Sequence, residues 1–540
     1  MADRNNGNAG RGKEFDNETM HWADRMAQSV LAKSPHKNLY TLASGITPSG
    51  TVHIGNFREI ITTELVVRAL RKKGCQVRFI YSWDDYDVFR KVPQNMPQQD
   101  VLQKHLRFPI TDVPDTSGSD CSSYARKNEL EVEDDLPLVG IRPEYIYQAE
   151  RYKSSYYASD IRFALQNKSK IIEILNKYRD KPLDESWWPI SIFSSFTKKD
   201  TTTVLSYDGD WKVTYRDDET NQEETVDLRE TSLVKLNWRI DWPMRWAKED
   251  VDFEPAGKDH HSSGGSFDTS KEIVELFGKH APLSLQYDFI SIKGHGGKIS
   301  SSSGDVVSLG EVLEIYTPEV TRYMFAKPRP NTEFAISFDT DVFKIYEDYD
   351  NTERVAFGIT PVPADKMEKE RRIYELSQPY EVPQTPSLQV SFRHLCNLLL
   401  IHSCNVEEVV ALYSDADPSQ AYRLKEKAVC AVNWLRKYAD SDYNWSLQSP
   451  DSPRPELGHR ENKAVIMVGK LCEEIDDMDE KDIANKLYDI AEGVEIEPKE
   501  LFKAAYSVLI NKERGPRLAA FLKNVGGAKA SKILLRGTSE

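Results

Sequence analysis

The chain of 540 residues has no cysteine pair at CxxC spacing, no apolar run of membrane-spanning length and no excess of basic charge. Its six cysteines, Cys75, Cys121, Cys396, Cys404, Cys430 and Cys472, are scattered, and none lies between Cys121 and Cys396. That excludes a disulfide framework and fits reduced thiols in a cytoplasmic protein. A bilayer span needs about 20 consecutive apolar residues, which no stretch supplies. The first 18 residues are polar and rich in Asn and Gly, without the apolar core of a signal peptide, and are expected to form a disordered leader. No internal repeat is evident. The formal net charge of -15 speaks weakly against a nucleic-acid partner. In a large protein only the contact face need be basic, so local patches decide.

What is present describes a soluble multidomain protein. Hydrophobic residues make up 39% and charged residues 29% of the chain. Its length implies about two to four domains. Leu39 to Ser44 reads as a buried strand, followed by the Gly/Pro loop Gly45 to Gly50. From His53 the apolar spacing turns helical, with Ile54, Phe57, Ile61, Leu65 and Ala69 on one face. Gly74 ends that helix and Val77 to Ser82 returns as a strand. Such a βαβ unit predicts a doubly wound parallel sheet of Rossmann type, with ligands at its carboxyl edge.

The rhythm is then interrupted. Residues 93–246, with helices within Tyr152 to Tyr178 and a strand-rich stretch at Thr202 to Val226, are expected to form an insertion. The α/β pattern of residues 19–92 resumes at 247–315. It includes Phe253 to His261, a strand at Tyr287 to Ile292, a Gly/Ser loop at Gly294 to Gly304 and a capping box at Ser308 and Glu311. Beyond it the pattern is helical. Proline-rich breaks and a Ser/Pro/Asp linker predict a connecting module at 316–385 and an all-α module at 386–540.

Two motifs carry chemistry. Pro48-Ser49-Gly50-Thr51-Val52-His53-Ile54-Gly55-Asn56 opens the first helix, where free N–H groups and the helix dipole favour an anion. Small residues allow close approach of a phosphate, and His53 and Asn56 can donate to it. Lys298-Ile299-Ser300-Ser301-Ser302-Ser303-Gly304 offers one ammonium and four hydroxyls between glycines, suited to a polyphosphate. Either motif alone is weak, since a helix-start histidine or a serine-rich loop is usually inert. Together, each at a strand end, they are specific.

The pair resembles the HIGH and KMSKS signatures of class I aminoacyl-tRNA synthetases, and the chain is most similar to class I lysyl-tRNA synthetases. The resemblance runs from about Tyr40 to the C-terminus. It includes the strings at Ala43 to Gly50, Ser82 to Asp87, Trp238 to Trp246, Gly257 to His261 and Gly515 to Leu518. It implies attack of the lysine carboxylate on the α-phosphorus of ATP, then transfer of the lysyl group to a tRNA terminal ribose hydroxyl. His53, Asn56 and Lys298 are the catalytic residues it implies, with Mg²⁺ accompanying ATP. Pro48, Gly50, Gly55, Gly257, Asp259, Ile299, Ser300, Ser301 and Ser302 complete the ATP site. Gly45 and Thr47 suit the α-amino end of lysine, Trp238, His260 and Tyr287 its side chain, and Asp84 or Asp241 its positive charge. Of Asp84, Asp85 and Asp87, one is expected to be functional, the others capping a helix or pairing with an arginine.

Two departures from the family stand out. Ser301 replaces the second lysine of KMSKS, leaving Lys298 to carry the charge. The zinc site common in the insertion has no cysteines here. The corresponding stretch is Ile192 to Thr197, so no structural zinc is expected, with packing of Phe193 and Phe196 in its place. The basic C-terminal stretch, with Lys512, Arg514, Arg517 and Lys523, is the expected tRNA face, and the resemblance implies that the helical module at 386–540 binds the anticodon arm and the insertion the acceptor end. A monomer with tRNA, not DNA or membrane, as partner is expected. The rival readings are a catalytically silent paralogue, a small-molecule adenylyltransferase and a synthetase for another amino acid such as glutamate.

Overall fold

The computed structural model describes residues 20–294, 306–413 and 415–538. They fall into two compact units. The first holds the described residues up to Leu313 with Pro318–Ile336 and Thr352–Gln384, the second Glu314–Thr317, Ser337–Asn351 and the rest from Thr385. The stretch 316–385, expected as a module of its own, is therefore shared between the two.

The first unit is built on four parallel strands: β1 (Leu39–Ile46), β2 (Gln76–Trp83), β3 (Glu144–Tyr147) and β4 (Val251–Phe253), in the order β3-β2-β1-β4. β1 and β2 are in register from Leu39 opposite Gln76 to Ile46 opposite Trp83. Between them α1 (Ile54–Lys72) buries Ile54, Phe57, Ile61, Leu65 and Ala69, the face its spacing predicts. Gly74, at φ +81°, closes it in the left-handed conformation that a side chain resists. The helix is buried almost all round, and Glu64 on it meets Arg322 of the helix Pro318–Ala326 at 2.7 Å.

β3 lies inside the range expected as insertion. Glu144 to Tyr147 pairs with the end of β2, and four residues of mixed polarity give no periodic cue for a core strand. The expected strand at Tyr287 to Ile292 is two short pieces: β6 (Gln286–Tyr287) pairs with β5 (Ala256–Gly257), whereas β7 (Ile290–Ile292) pairs with β8 (Phe334–Ile336). Between β4 and β3 in sequence lies α2 (Trp238–Glu249).

The strand-rich stretch forms an antiparallel meander, Thr202–Tyr207, Lys212–Asp217 and Glu223–Asp227. Phe193 is buried beside it, but Phe196 is 42% exposed, which corrects the expected apolar packing of both rings. A polar clasp holds the turn instead. Thr197 Oγ1 donates to Asp217 Oδ2 at 2.7 Å, and the Glu219 and Thr220 N–H groups donate to Oδ1 at 2.8 and 2.9 Å. Burial pushes the Asp217 carboxyl up, but bonds from Ser194, Thr197 and these amides outweigh it and hold it well below the usual range. Structural zinc wants thiolate or imidazole donors, and hydroxyls with one committed carboxylate do not fit it. Asp217→Ala is expected to speed proteolysis between Ser194 and Gln222 by roughly 5- to 100-fold, as orphaned donors open the turns. Stoichiometric zinc in purified protein would refute the metal-free reading.

The second unit is helical from Phe392 on. Its C-terminal helices, His459–Leu471, Glu480–Gly493, Pro498–Ile510, Leu518–Val525 and Gly527–Leu534, enclose a core that includes Leu487, Leu501, Leu509 and Phe521.

Candidate active site

The carboxyl ends of β1 and β2, the mouth of α1, the start of α2 and the β5–β6 pair surround a cavity of about 290 Å³. Gly45, Thr47, Asn56, Asp84, Trp238, His260 and Tyr287 line it, joined by Glu59 and Asp87. Gly45 has no room for a side chain: a Cβ there would lie 2.7 Å from the Ser82 carbonyl oxygen of the neighbouring strand.

Glu59 organises one wall. Its Oε1 accepts from the Ser44 hydroxyl at 3.0 Å and the Gly45 N–H at 3.1 Å, and its Oε2 from the Tyr287 hydroxyl at 2.6 Å. Burial pushes its carboxyl up, and among the described residues no lysine or arginine pairs with it. On the opposite side, Thr47 Oγ1 donates to Asp87 Oδ2 at 2.9 Å and Lys235 makes an ion pair with Asp87. Burial raises the Asp87 carboxyl, yet Lys235 and Thr47 prevail and hold it below the ordinary value. Arg245 donates to Asp84 at 2.6 Å and to Asp241 at 3.1 Å. Of the four carboxylates in and behind the wall, three share two cations and Glu59 has none among the described residues, which favours a bound cation.

Asp241 does not reach the cavity. It is buried beneath it, bonded to Arg245 and the Tyr152 hydroxyl, so the expectation that it could meet a ligand directly is corrected. Asp85 also turns away, accepting from the Ala149 N–H at 2.8 Å at the start of a short helix. Burial pushes it up to about 7. Of the three aspartates, Asp84 and Asp87 both line the cavity. The remaining wall is aromatic: Trp238 stacks on Trp242 with ring centroids 5.2 Å apart, and His260 leans against Trp242 at 5.5 Å. His260 is fixed by a 2.6 Å hydrogen bond between its Nδ1 and the Ser266 hydroxyl.

At the mouth of α1, His53 is the N-cap residue. The first-turn N–H groups are largely taken, contrary to the expectation that they stand open. The His53 N–H donates to Asn56 Oδ1 at 3.2 Å and the Ile54 N–H to the Val307 carbonyl at 2.7 Å. An anion placed here would therefore meet mainly side-chain donors. With its Oδ1 engaged, Asn56 keeps Nδ2 as a donor at the cavity. A Cβ on Gly55 would lie 2.8 Å from His53 Nδ1, so glycine is what lets the imidazole lie over the first turn. The loop ahead is braced from outside the sheet, the Tyr124 hydroxyl donating to the Ser49 carbonyl at 3.1 Å and Asn128 Nδ2 to that of Pro48 at 3.4 Å. Pro48 and Gly50 are buried in this loop. Gly257 ends β5 beside the Tyr287 ring, and Asp259 is exposed on the turn that follows.

Lys298, Ile299, Ser300, Ser301 and Ser302 lie outside the described residues. Where the chain is described again, it is already at the helix mouth: Ser308 bridges His53, beside the Val307–Ile54 hydrogen bond. The Ser308–Glu311 capping box forms, with bonds of 2.8 and 3.1 Å. Glu59, Lys235 and Arg245 in and behind the wall are the residues that sequence reasoning did not name, whereas Asp87 was one of the three aspartates from which a single one was expected.

Residues 20–380 match the family model described as tRNA synthetases class I (K). Three relatives named lysine–tRNA ligase are similar over nearly the whole length. The chain is 53% identical to that of Borreliella burgdorferi, covering 96% of this chain and 99% of the relative. It is 49% identical to that of Treponema pallidum, covering 96% and 98%. It is 40% identical to that of Pyrococcus horikoshii, covering 94% and 97%. With its parallel sheet, its helix-mouth histidine and a match spanning more than half its length, the chain belongs to the class I (K) tRNA synthetases.

Proposed function

We propose that the chain joins L-lysine to lysine-accepting tRNA through a lysyl-adenylate, converting ATP to AMP and pyrophosphate. The observation that carries this reading is the acidic, aromatic-walled cavity opening at the mouth of α1. An ammonium on an apolar stem is recognised by a carboxylate, a hydroxyl and ring faces. Glu59 with Tyr287 supplies the first two, Trp238 and His260 the rings. Gly45, Thr47, Asp84 and Asp87 form the other rim, where the α-amino group is held and the carboxylate turned toward His53. A synthetase for glutamate would need the opposite charge in this wall, and a silent paralogue finds no support among the relatives.

The chemistry is in-line displacement at the α-phosphorus, so no protein nucleophile is required. Positioning and charge stabilisation do the work. His53 and Asn56 donate to phosphate oxygens, and Lys298 adds the ammonium that follows the departing pyrophosphate. Pro48, Gly50 and Gly55 give the phosphates room. Gly257 and Asp259 serve the adenosine, Asp259 through ribose hydroxyls, while Ile299 and Ser300 to Ser302 complete the nucleotide site. Mg²⁺ would accompany ATP as part of the substrate and would supply further charge neutralisation to its phosphates. The tRNA is held by the basic C-terminal stretch, Lys512, Arg514, Arg517 and Lys523. Arg514 and Arg517 are exposed, whereas the Lys523 ammonium is engaged with the Met478 carbonyl at 2.6 Å. We read the protein as a cytoplasmic monomer, and among the described residues no helix is long and apolar enough to cross a membrane.

The test is aminoacylation of total tRNA with each amino acid in turn. Incorporation of lysine alone, with AMP and pyrophosphate released, is expected. Incorporation of another amino acid at comparable rate, or of none, overturns the reading.

A further inference from the structure

Trp238, Trp242 and Trp246 of α2 stand one helical turn apart and so share a face. They form a ladder that runs from the cavity into the core. Trp238 lines the cavity and is 36% exposed, whereas Trp242 is 5% and Trp246 2% exposed. Successive ring centroids lie 5.2 and 4.6 Å apart. Trp242 is the shared support of the aromatic wall, because Trp238 stacks on it and His260 leans on it. Whatever fixes Trp242 therefore sets both rings of the wall. Phe267 packs against Trp242 and Trp246 with centroids at 6.2 and 5.7 Å, but apolar contact has no direction of its own.

Glu254, the residue after β4, supplies that direction. Trp246 Nε1 donates to Glu254 Oε2 at 2.5 Å, and the Trp242 indole also donates to this carboxyl. The Glu254 N–H donates to the Leu283 carbonyl at 3.0 Å, which ties the residue to the strand layer. Glu254 is buried and does not line the cavity. A buried acid is costly, and burial, followed by the charge of Glu59, pushes its carboxyl up to about 7. Both protonation states keep an acceptor oxygen for the indoles. We propose that Glu254 is a positioning residue for lysine binding: by fixing Trp242 and Trp246 it holds Trp238 and His260 where the stem and ammonium of lysine pass between them and Glu59. The inference rests on the lysine-ligase reading and extends it to a residue that touches no substrate.

The test is ATP–pyrophosphate exchange by the full chain with tRNA present, lysine and ATP being varied separately. Glu254→Leu should raise KM for lysine by roughly 5- to 30-fold, the loss of one ring-face contact to a desolvated ammonium. KM for ATP, and kcat at saturating lysine, should hold. Glu254→Gln keeps one acceptor oxygen and should recover most of the loss. The exciton-coupled circular dichroism of the stacked indoles should fall in Glu254→Leu and return in Glu254→Gln. Trp246→Phe deletes the donor while leaving the carboxyl in place, and should raise KM for lysine in the same way. It decides the matter if Glu254→Leu does not fold. An ordinary lysine KM in folded Glu254→Leu, or in Trp246→Phe where that variant must decide, overturns the inference. So does a rise in lysine KM matched by that for ATP, or a Glu254→Gln variant no better than Glu254→Leu. Lysine-dependent exchange by the wild-type chain is the control. Present while the variants behave as wild type, it removes the role of Glu254 alone, whereas its absence removes the ligase reading itself.

Discussion

Replacing His53 with alanine should depress ATP–pyrophosphate exchange, assayed with lysine and tRNA present, by roughly 10²- to 10³-fold. That is the usual cost of deleting one preorganised donor to developing charge. The residue is set at the helix mouth by its backbone. It caps α1, its backbone is bridged to Ser308, and the bare Cα of Gly55 leaves space for the ring. The first-turn amides are mostly occupied, so few other donors stand ready to replace it. The loss should appear in kcat, with tRNA affinity largely spared, because the charge it meets develops during displacement. Unchanged exchange in His53→Ala would place phosphate stabilisation elsewhere.

The second large effect concerns lysine itself. Glu59→Gln preserves shape and the bonds to Ser44 and Gly45 while removing the charge that faces the ammonium. Truncating one partner of a desolvated charge pair costs about 2–5 kcal/mol, so KM for lysine should rise roughly 30- to 5,000-fold. KM for ATP should move little. Burial raises the Glu59 carboxyl, and an ammonium prefers the ionised form. Lysine binding in the wild type should therefore weaken as pH falls through that raised range, and the Gln variant should lose this dependence. A Gln variant with ordinary lysine KM would move ammonium recognition to Asp84 and Asp87.

Much of this site could be seen in the sequence because its elements are local. The step from Gly45–Gly50 into the spacing of Ile54, Phe57 and Ile61 places a helix mouth at a sheet edge without knowledge of any distant contact. Ser308 and Glu311 announce a helix start in the same way. What sequence concealed depends on pairing across the fold. Glu59 is one acid on a helix whose Arg58 and Glu64 are also buried, for structural reasons, bonded to the Pro330 carbonyl and to Arg322. Charge on that helix therefore does not distinguish ligand wall from scaffold. The one cue was spacing, since Asn56 and Glu59 stand three residues apart and share a face. Asp241 and Asp84 look alike in sequence and share Arg245 in the fold, and only the folded structure shows that Asp84 lines the cavity while Asp241 lies beneath it. β3 was hidden because Glu144–Tyr147 is short and of mixed polarity.

The hydrogen bond between Ile54 and Val307, with the adjoining bridge between His53 and Ser308, has an evolutionary corollary. Two segments far apart along the polypeptide, His53–Ile54 and Val307–Ser308, are stitched together by backbone atoms, which are indifferent to side-chain identity. Everything between them is then a closed excursion, and lengthening such an excursion costs free energy only logarithmically. The meander of Thr202–Tyr207, Lys212–Asp217 and Glu223–Asp227 can drift or grow, while the stitch keeps Val307 and Ser308 at the mouth of α1.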